Sequence, residues 1–424
     1  MGGRYYPGSA RLAWAMVAPA VELRRRPAAT GGEARAPSRS PRSQDPRMQR
    51  LRCSSLLLGL AALLAPPALA GCDASRARKE APPAASSAAA APDPSAAARA
   101  EPARVAVEAR AMGTNLLLAA YASAAMDEAA IRVRLEKAIA EIRRLEGLMT
   151  TWRPDSELSR VNAAAGKSAA PVSPESLDVI EKSLWISERS GGVFDVTFEA
   201  MHGLWKFDED IDDNVPRRDD VERARALIDY KQIRIDRAQR TVMLARPGMR
   251  MSLGGIAKGY AVDAAARVLR GEGLTSFFVQ AGGDLYIAGK KPDGSRWRAG
   301  VRDPRGKGPN DYFAMIEVED RAFSTAGDYE RSFIKEGRRY HHIIDPRTGF
   351  PATESRSVTI WARDALTADA VDDAVFILGA EKGLALVEAI EDCGAVIVDR
   401  NNKVWVSKRL EGKVEVLRPP TDGL

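Results

Sequence analysis

The chain has 424 residues, 45% apolar and 28% charged, the balance of a globular protein rather than a disordered or fibrous one. The net charge of +6 is misleading, because much of the excess lies before Arg104, in residues such as Arg24, Arg25 and Arg26. No stretch interleaves basic and aromatic residues as nucleic-acid surfaces do, so nucleic acid is not an expected partner.

Residues 1–47 are rich in Arg, Pro, Ala and Ser and show no apolar periodicity; they read as a misassigned start or a disordered extension. Residues 48–71 read as a signal peptide. Arg50 and Arg52 follow Met48 as its positive start, and Leu56 to Leu64 form an apolar run too short to span a bilayer. Leu69-Ala70-Gly71-Cys72 resembles a bacterial lipobox. Cleavage before Cys72 and its acylation would anchor the chain to a membrane of the cell envelope, facing the periplasm or the exterior. The alternative is a plain cleaved leader with Cys72 incidental. Residues 72–103, mostly Ala, Pro, Ser and charge, cannot bury a core and read as a tether. Cys53 goes with the leader, and Cys393 is left in an apolar run as a buried thiol. Neither a disulfide framework nor a zinc site can be built from these cysteines.

From residue 104 onward the periodicity predicts an α+β domain. Residues 105–109 and 116–121 read as strands around a Met112-Gly113-Thr114 turn. Ile131, Leu135, Ala138, Ile142, Leu145 and Met149 form one helical stripe. Ser173-Pro174 caps a second helix, which Gly191-Gly192 ends. A shorter helix over 219–229 precedes a hairpin of 232–235 and 241–244, and a glycine turn then enters a helix running to about Arg270. Residues 277–280, 284–288 and 296–301 read as strands, and 312–318, 322–325 and 333–334 are expected to continue the same sheet. A strand over 357–361, an acidic helix, a helix over 381–390 and a hairpin of 395–398 and 404–406 complete the pattern. No repeat at a fixed period is present.

Three constellations carry chemistry. Tyr340-His341-His342-Ile343-Ile344-Asp345-Pro346-Arg347-Thr348-Gly349 holds two of the chain's three histidines. Imidazole titrates nearest neutrality and is the natural proton carrier. Asp345-Pro346 and Thr348-Gly349 are turn chemistry that would fix the histidines at a strand end, although two solvated loop histidines would look the same. Gly254-Gly255-Ile256-Ala257-Lys258-Gly259-Tyr260 offers close backbone approach to a phosphate, a helix N-terminus and a lysine charge. Its spacing is neither the dinucleotide fingerprint nor the Walker A loop, and its plain alternative is a glycine turn entering a helix. In Ala368-Asp369-Ala370-Val371-Asp372-Asp373-Ala374-Val375, Asp369 and Asp373 share a helix face. Carboxylates so placed repel unless a cation lies between them, and a few hard oxygen ligands suit magnesium that also holds a phosphate. A solvated acidic turn is the ordinary alternative, but the apolar residues that follow imply a buried helix, where carboxylates need a reason.

Further segments follow in a fixed order: Met112-Gly113-Thr114, Met149 to Trp152, Asp155 to Ser159, Gly192 to Thr197, Leu204-Trp205, Gly282-Gly283-Asp284, Trp297 to Pro304, and Ser324 to Tyr329. With the three constellations, they resemble the FAD:protein FMN transferase (ApbE) family from about Arg104 to the C-terminus. The resemblance implies a two-lobed, T-fold-related α+β domain over 104–424, with mixed or antiparallel sheets and packed helices. It implies cleavage of FAD, transfer of FMN through a phosphoester bond to a threonine of an acceptor protein, and release of AMP. Mg²⁺ is the implied cofactor and FAD the substrate. By match to the family, His342 is the base that takes the acceptor proton and Asp345 orients it. The Ala257 carbonyl, Asp369 and Asp373 would hold Mg²⁺, and Lys258 would meet FAD beside its phosphates. Met112 would pack on FAD, Trp152, Phe194 and Asp195 would line its site, and Ser324 and Thr325 would lie near the phosphates. Judged as residue types, Met112, Trp152 and Phe194 are more often core residues, so their assignment rests on the resemblance alone, and Ser324 and Thr325 would otherwise be strand-end caps. The implied partner is a membrane-associated redox subunit with an exposed threonine.

The chain departs from the family pattern at three points. Ser252 stands where an Asp is common, Asp373 (preceded by Asp372) where a Thr is usual, and His341 where a Ser is usual. Either Asp372 or Asp373 is then the second helix ligand, and His341 would titrate jointly with His342. A Mg²⁺-dependent FAD pyrophosphatase would use the same residues with water as acceptor. A non-catalytic FAD-binding lipoprotein would keep the flavin platform and lose the base and the metal ligands.

Overall fold

The computed structural model describes residues 102–123, 125–207 and 211–424. The expected leader, lipobox and nearly all of the tether lie outside the described residues.

One antiparallel sheet of eight strands organises the domain. Its strands lie side by side in chain order: Arg104–Ala111, Thr114–Tyr121, Phe277–Ala281, Asp284–Ala288, Arg321–Gly327, Ser355–Ala362, Gly394–Asp399 and Val404–Val406. Alternate residues of a strand face opposite sides, and here both sides are covered. Phe277, Val279, Val358, Ile360 and Ile397 enter one core cluster. Phe278, Leu285, Ile287, Val396 and Val398 enter a second on the other face. Hence these strands read as continuous apolar runs rather than as polar–apolar alternation.

Helices cover the first face. They are α1 (Glu128–Met149), α2 (Glu157–Ala163), α3 (Pro174–Arg189), α5 (Ala257–Gly271), α6 (Ala365–Leu378) and α7 (Ala380–Glu388), while α4 (Arg218–Arg225) packs on the 3-10 turn Val196–Met201. The stripe expected on α1 is buried at all six positions. Asp127 caps α1 and Ser173 caps α3, each side chain accepting a backbone N–H of the first turn. Helix α5 packs between α1 and α6, and α6 lies across the Arg321–Gly327 and Ser355–Ala362 strands.

The other face differs from expectation. Residues 296–301 and 312–318 do not extend the large sheet. As Trp297–Arg302 and Tyr312–Val318 they pair with Val414–Val416 in a separate three-stranded sheet, whose Trp297, Ala299, Val301, Phe313 and Ile316 fill the second core. Phe333 belongs to an isolated hairpin of Ser332–Lys335 and Arg338–His341. The helix expected over 219–229 ends at Arg225, and a 3-10 turn, Tyr230–Gln232, follows. The short α2 and the Val414–Val416 strand had no recognisable periodicity. Among the described residues no helix is long and apolar enough to cross a membrane.

Candidate active site

Helices α5 and α6 cross at Gly259. A Cβ there would lie 2.3 Å from the Ala365 carbonyl oxygen, so only glycine permits the approach. The two helices cap each other. Asp369 Oδ2 of α6 accepts the Gly259 N–H at 2.8 Å, and Asp263 of α5 accepts the N–H groups of Ala365 and Leu366 at 2.8 and 2.9 Å. Burial pushes the Asp263 carboxyl up to about 7 despite these bonds.

Four carboxyls converge beside this crossing. Lys258 Nζ sits 3.1 Å from Asp369 Oδ1 and 3.2 Å from Asp284 Oδ2, and the two aspartates are only 2% and 1% exposed. Burial alone would push the Lys258 ammonium down, but Asp284, Asp369 and Asp372 outweigh it and hold its proton firmly. Ser324 Oγ lies 2.6 Å from both Asp284 Oδ1 and Asp372 Oδ2. A hydroxyl has one proton to donate, so one of those two carboxyls must carry a proton of its own. Burial, with Asp369 nearby, pushes Asp284 up to about 7. Burial, then Asp373, Asp369 and Asp284, pushes Asp372 well above the carboxylate range. Asp372 also accepts the Asp373 N–H at 2.6 Å. The Asp373 carboxyl is raised by burial to about 7, against the pull of Lys258, and its Oδ2 faces the glycine turn, 3.1 Å from where a Cβ of Gly255 would be.

This donor set suits magnesium in its chemistry: an Asp373 carboxyl directed at the glycine turn, Asp369, and the Ala257 carbonyl at the start of α5, with a substrate phosphate and water to complete an octahedron. Among the described residues no three His, Cys, Asp or Glu side chains form a ready-made metal cage. One feature of the geometry opposes a cation. Both Asp369 oxygens are engaged, by Lys258 and by the Gly259 N–H, so an ion at Asp369 must share an oxygen with Lys258. Asp372, bound to Ser324 and to its neighbour's N–H, is the less available of the two adjacent aspartates.

The histidines separate in role. His341 is buried, its Nε2–H donates to the Ala352 carbonyl at 2.8 Å, and its Nδ1 accepts the Ile343 N–H at 3.3 Å. Burial lowers its affinity for a proton, and its ring sits edge-on to Phe376. It is therefore a neutral structural residue rather than a titrating partner. His342 is half-buried, and its Nδ1 has no hydrogen-bond partner. Burial, then Arg331, His341 and Lys258, pushes its imidazole down to about 3, so the ring is neutral at physiological pH. The orienting role expected of Asp345 finds no bond to His342. Its carboxylate is taken by the Arg347 N–H and guanidinium at 2.7–3.1 Å, while its carbonyl accepts the Thr348 and Gly349 N–H groups. Asp345 builds the turn, and the turn sets the histidines. Trp205 buttresses it, stacking on Tyr340, meeting Phe350 edge-on and donating Nε1–H to the Gly349 carbonyl at 2.9 Å.

The expected flavin residues divide. Met112 and Gly113 form a two-residue hairpin turn, both at positive φ (53° and 68°), and the Met112 N–H is held by Glu146 at 2.6 Å. A non-glycine residue in that region is strained, as at functional turns. Trp152 is 74% exposed and meets His202 edge-on at 6.1 Å, so it is a surface platform rather than core. Phe194 is buried and reaches to 3.7 Å from the Gly255 Cβ position, forming a wall of the glycine turn. Asp195 is spent on structure: it accepts from Thr197 N–H and Oγ1 and from Tyr230 N–H, which leaves little capacity for a ligand. Thr325 bonds to Thr359 Oγ1 at 3.0 Å, and Ser324 belongs to the carboxyl network. Sequence reasoning missed Asp284 and Arg331 as site residues. The Gly282-Gly283 turn before Asp284 was a usable signal; nothing local marked Arg331.

This arrangement has counterparts. The ApbE family model matches residues 112–397. An FAD:protein FMN transferase of Treponema pallidum is 34% identical over 305 residues, covering 68% of this chain and 83% of that protein. The crystal structure of the ApbE protein of Thermotoga maritima superposes with a TM-score of 0.67 at 31% identity, covering 73% of this chain and 99% of that one. The flavin transferase ApbE of Vibrio cholerae gives a TM-score of 0.64 at 27% identity, over 74% and 99% of the two chains. With the glycine turn, the carboxyl-bearing helix and the histidine turn brought together within that match, the chain belongs to the ApbE family.

Proposed function

We propose that this chain is an FAD:protein FMN transferase. It cleaves the diphosphate of FAD, joins FMN to a threonine hydroxyl of an acceptor protein and releases AMP. The observation that carries this reading is an unpartnered neutral imidazole, His342, within electrostatic reach of Lys258 and its carboxyls. His342 accepts the hydroxyl proton as the oxygen attacks phosphorus. Lys258 and the N-terminus of α5 meet the phosphates, and Met112 with Trp152 supports the flavin. Mg²⁺, held by Asp369, Asp373 and the Ala257 carbonyl, would neutralise charge on the diphosphate. The acceptor is expected to be a membrane-associated redox subunit, reached from a lipid anchor at Cys72.

The test is incubation with FAD, Mg²⁺ and a candidate acceptor, followed by mass spectrometry. A mass gain of one FMN on the acceptor supports the reading. FMN and AMP released with no acceptor modification would make the chain a hydrolase, and bound but intact FAD would make it a binding protein.

A further inference from the structure

The first turn of a helix leaves N–H groups without an intrahelical acceptor, and at the crossing of α5 and α6 each helix supplies what the other lacks. In α6, Asp364 takes the Thr367 N–H at 2.7 Å, and the N–H groups of Ala365 and Leu366 fall to Asp263 of α5. In α5, the cap residue Ile256 makes no side-chain bond, and the Gly259 N–H goes to Asp369 of α6. The pattern is reciprocal. On α5, Gly259 donates and Asp263 accepts one turn later; on α6, Ala365 donates and Asp369 accepts one turn later.

This clasp fixes where one helix lies along the other. Sliding α6 by one turn, about 5.4 Å, would break all three bonds that cross between the helices. Asp369 belongs both to the clasp and to the site, because its other oxygen meets Lys258 Nζ at 3.1 Å. Asp263 belongs to the clasp alone. It lines a groove whose walls include Tyr260, Arg267 and Thr367 but none of Lys258, Asp284, Asp369 or Asp373.

We infer that Asp263 is a positioning residue for the transfer site: acting through the first turn of α6, it holds Asp369 against the Gly259 N–H and Lys258. Its bearing on transfer rests on the transferase reading above; its bearing on the helix crossing does not. When Asp263 loses its bonds, α6 is released at its N-terminal end, and Asp369 moves away from the start of α5. The diphosphate and Mg²⁺ are then held less well, although no group that meets them has been altered.

Amide hydrogen exchange of the whole chain, without ligand, reads the clasp directly, because Asp369 is the acceptor of the Gly259 N–H. At about pH 8 the Asp263 carboxyl, raised by burial to about 7, is ionised. Asp263→Asn turns one acceptor oxygen into a donor. It is expected to speed exchange at Ala365, Leu366 and, across the crossing, Gly259 by about tenfold, the scale of a lost helix cap. Asp364→Ala removes a cap from the same helix without touching α5; it is expected to speed Thr367 and leave Gly259 unchanged. Asp263→Ser keeps a single acceptor, is expected to give a smaller rise, and stands in if Asp263→Asn does not fold. Unaltered Gly259 exchange in the variant that folds overturns the inference. An equal rise at Gly259 in Asp364→Ala also overturns it, because Asp263 would then only support α6. Calorimetric titration with Mg²⁺ ties the clasp to the site: binding about tenfold weaker is expected in Asp263→Asn and unchanged binding in Asp364→Ala, and unchanged binding in both overturns the positioning role. If the unaltered protein transfers no FMN, the transferase reading fails, whereas the exchange at Gly259 still decides the clasp.

Discussion

His341 gives both ring nitrogens to the backbone, whereas the Nδ1 of His342 has no partner, although the two residues are adjacent and chemically identical. Only the second is placed to move a proton. His342→Ala is therefore expected to lower transfer by about 10²- to 10⁴-fold, the usual range for loss of a general base, with FAD affinity retained. Single-turnover transfer beside a binding titration checks this, and transfer at the original rate would remove His342 from the chemistry. Sequence alone offered two histidines and an aspartate. The preference for His342 came from the resemblance, and the carbonyl of Ala352 supplies the physical reason. A carboxylate near a histidine suggests an orienting pair, whereas here Arg347, two residues on, bonds to both Asp345 oxygens.

At the scale of elements, the site depends on how closely α5 approaches α6. Gly259 lets the helices touch, and that contact brings Asp369 to Lys258 and to the α5 N-terminus. Gly259→Ala would place a methyl 2.3 Å from the Ala365 carbonyl and 2.7 Å from the Asp369 Cβ, both parts of a packed helix that cannot turn aside. The expected cost is at least about 1–3 kcal/mol, as for overpacking elsewhere, together with weaker FAD binding. Denaturant unfolding measures the first and titration the second; wild-type values in both would show that α6 is free to shift. The individual helices and strands were mostly legible, because burial imposes a period of about 3.6 or 2 on the apolar residues. Which sheet a strand joins was not, because the apolar residues of a strand show which of its faces are buried and not which backbone it pairs with.

For the whole molecule, the buried charges set how stability depends on pH. Asp284 and Asp373 titrate near 7 in the folded chain, against about 4 when unfolded. The folded state thus binds more protons between those values, and their contribution is present in acid and lost as pH rises through about 7. His342 acts in the opposite sense, because its imidazole is pushed down to about 3. Its contribution is present above about 6.5 and lost as pH falls toward 3. Between about 6.5 and 8 the carboxyls act alone, so without divalent ion the melting temperature is expected to fall across that window. Mg²⁺ is expected to restore it, and Asp372→Asn to flatten the decline. A profile flat from pH 6.5 to 8 would show that the carboxyl cluster is not strained. Attachment to a membrane is tested separately: Cys72→Ala is expected to move the protein to the soluble fraction, and continued sedimentation with membranes would reject the lipid anchor.

The sequence by itself determined the α+β class, the helical stripe of α1, the cap of α3 and the order of the chemical motifs, because each depends on residues close together along the chain. Tertiary structure alone decided that Asp284 and Asp369 share Lys258, that Ser324 bridges two carboxyls, and that Arg331 reaches the Met112 turn. Those contacts join segments that no local periodicity links. They exist only because a sheet wound in chain order and two helices touching at one glycine bring the segments to the same place.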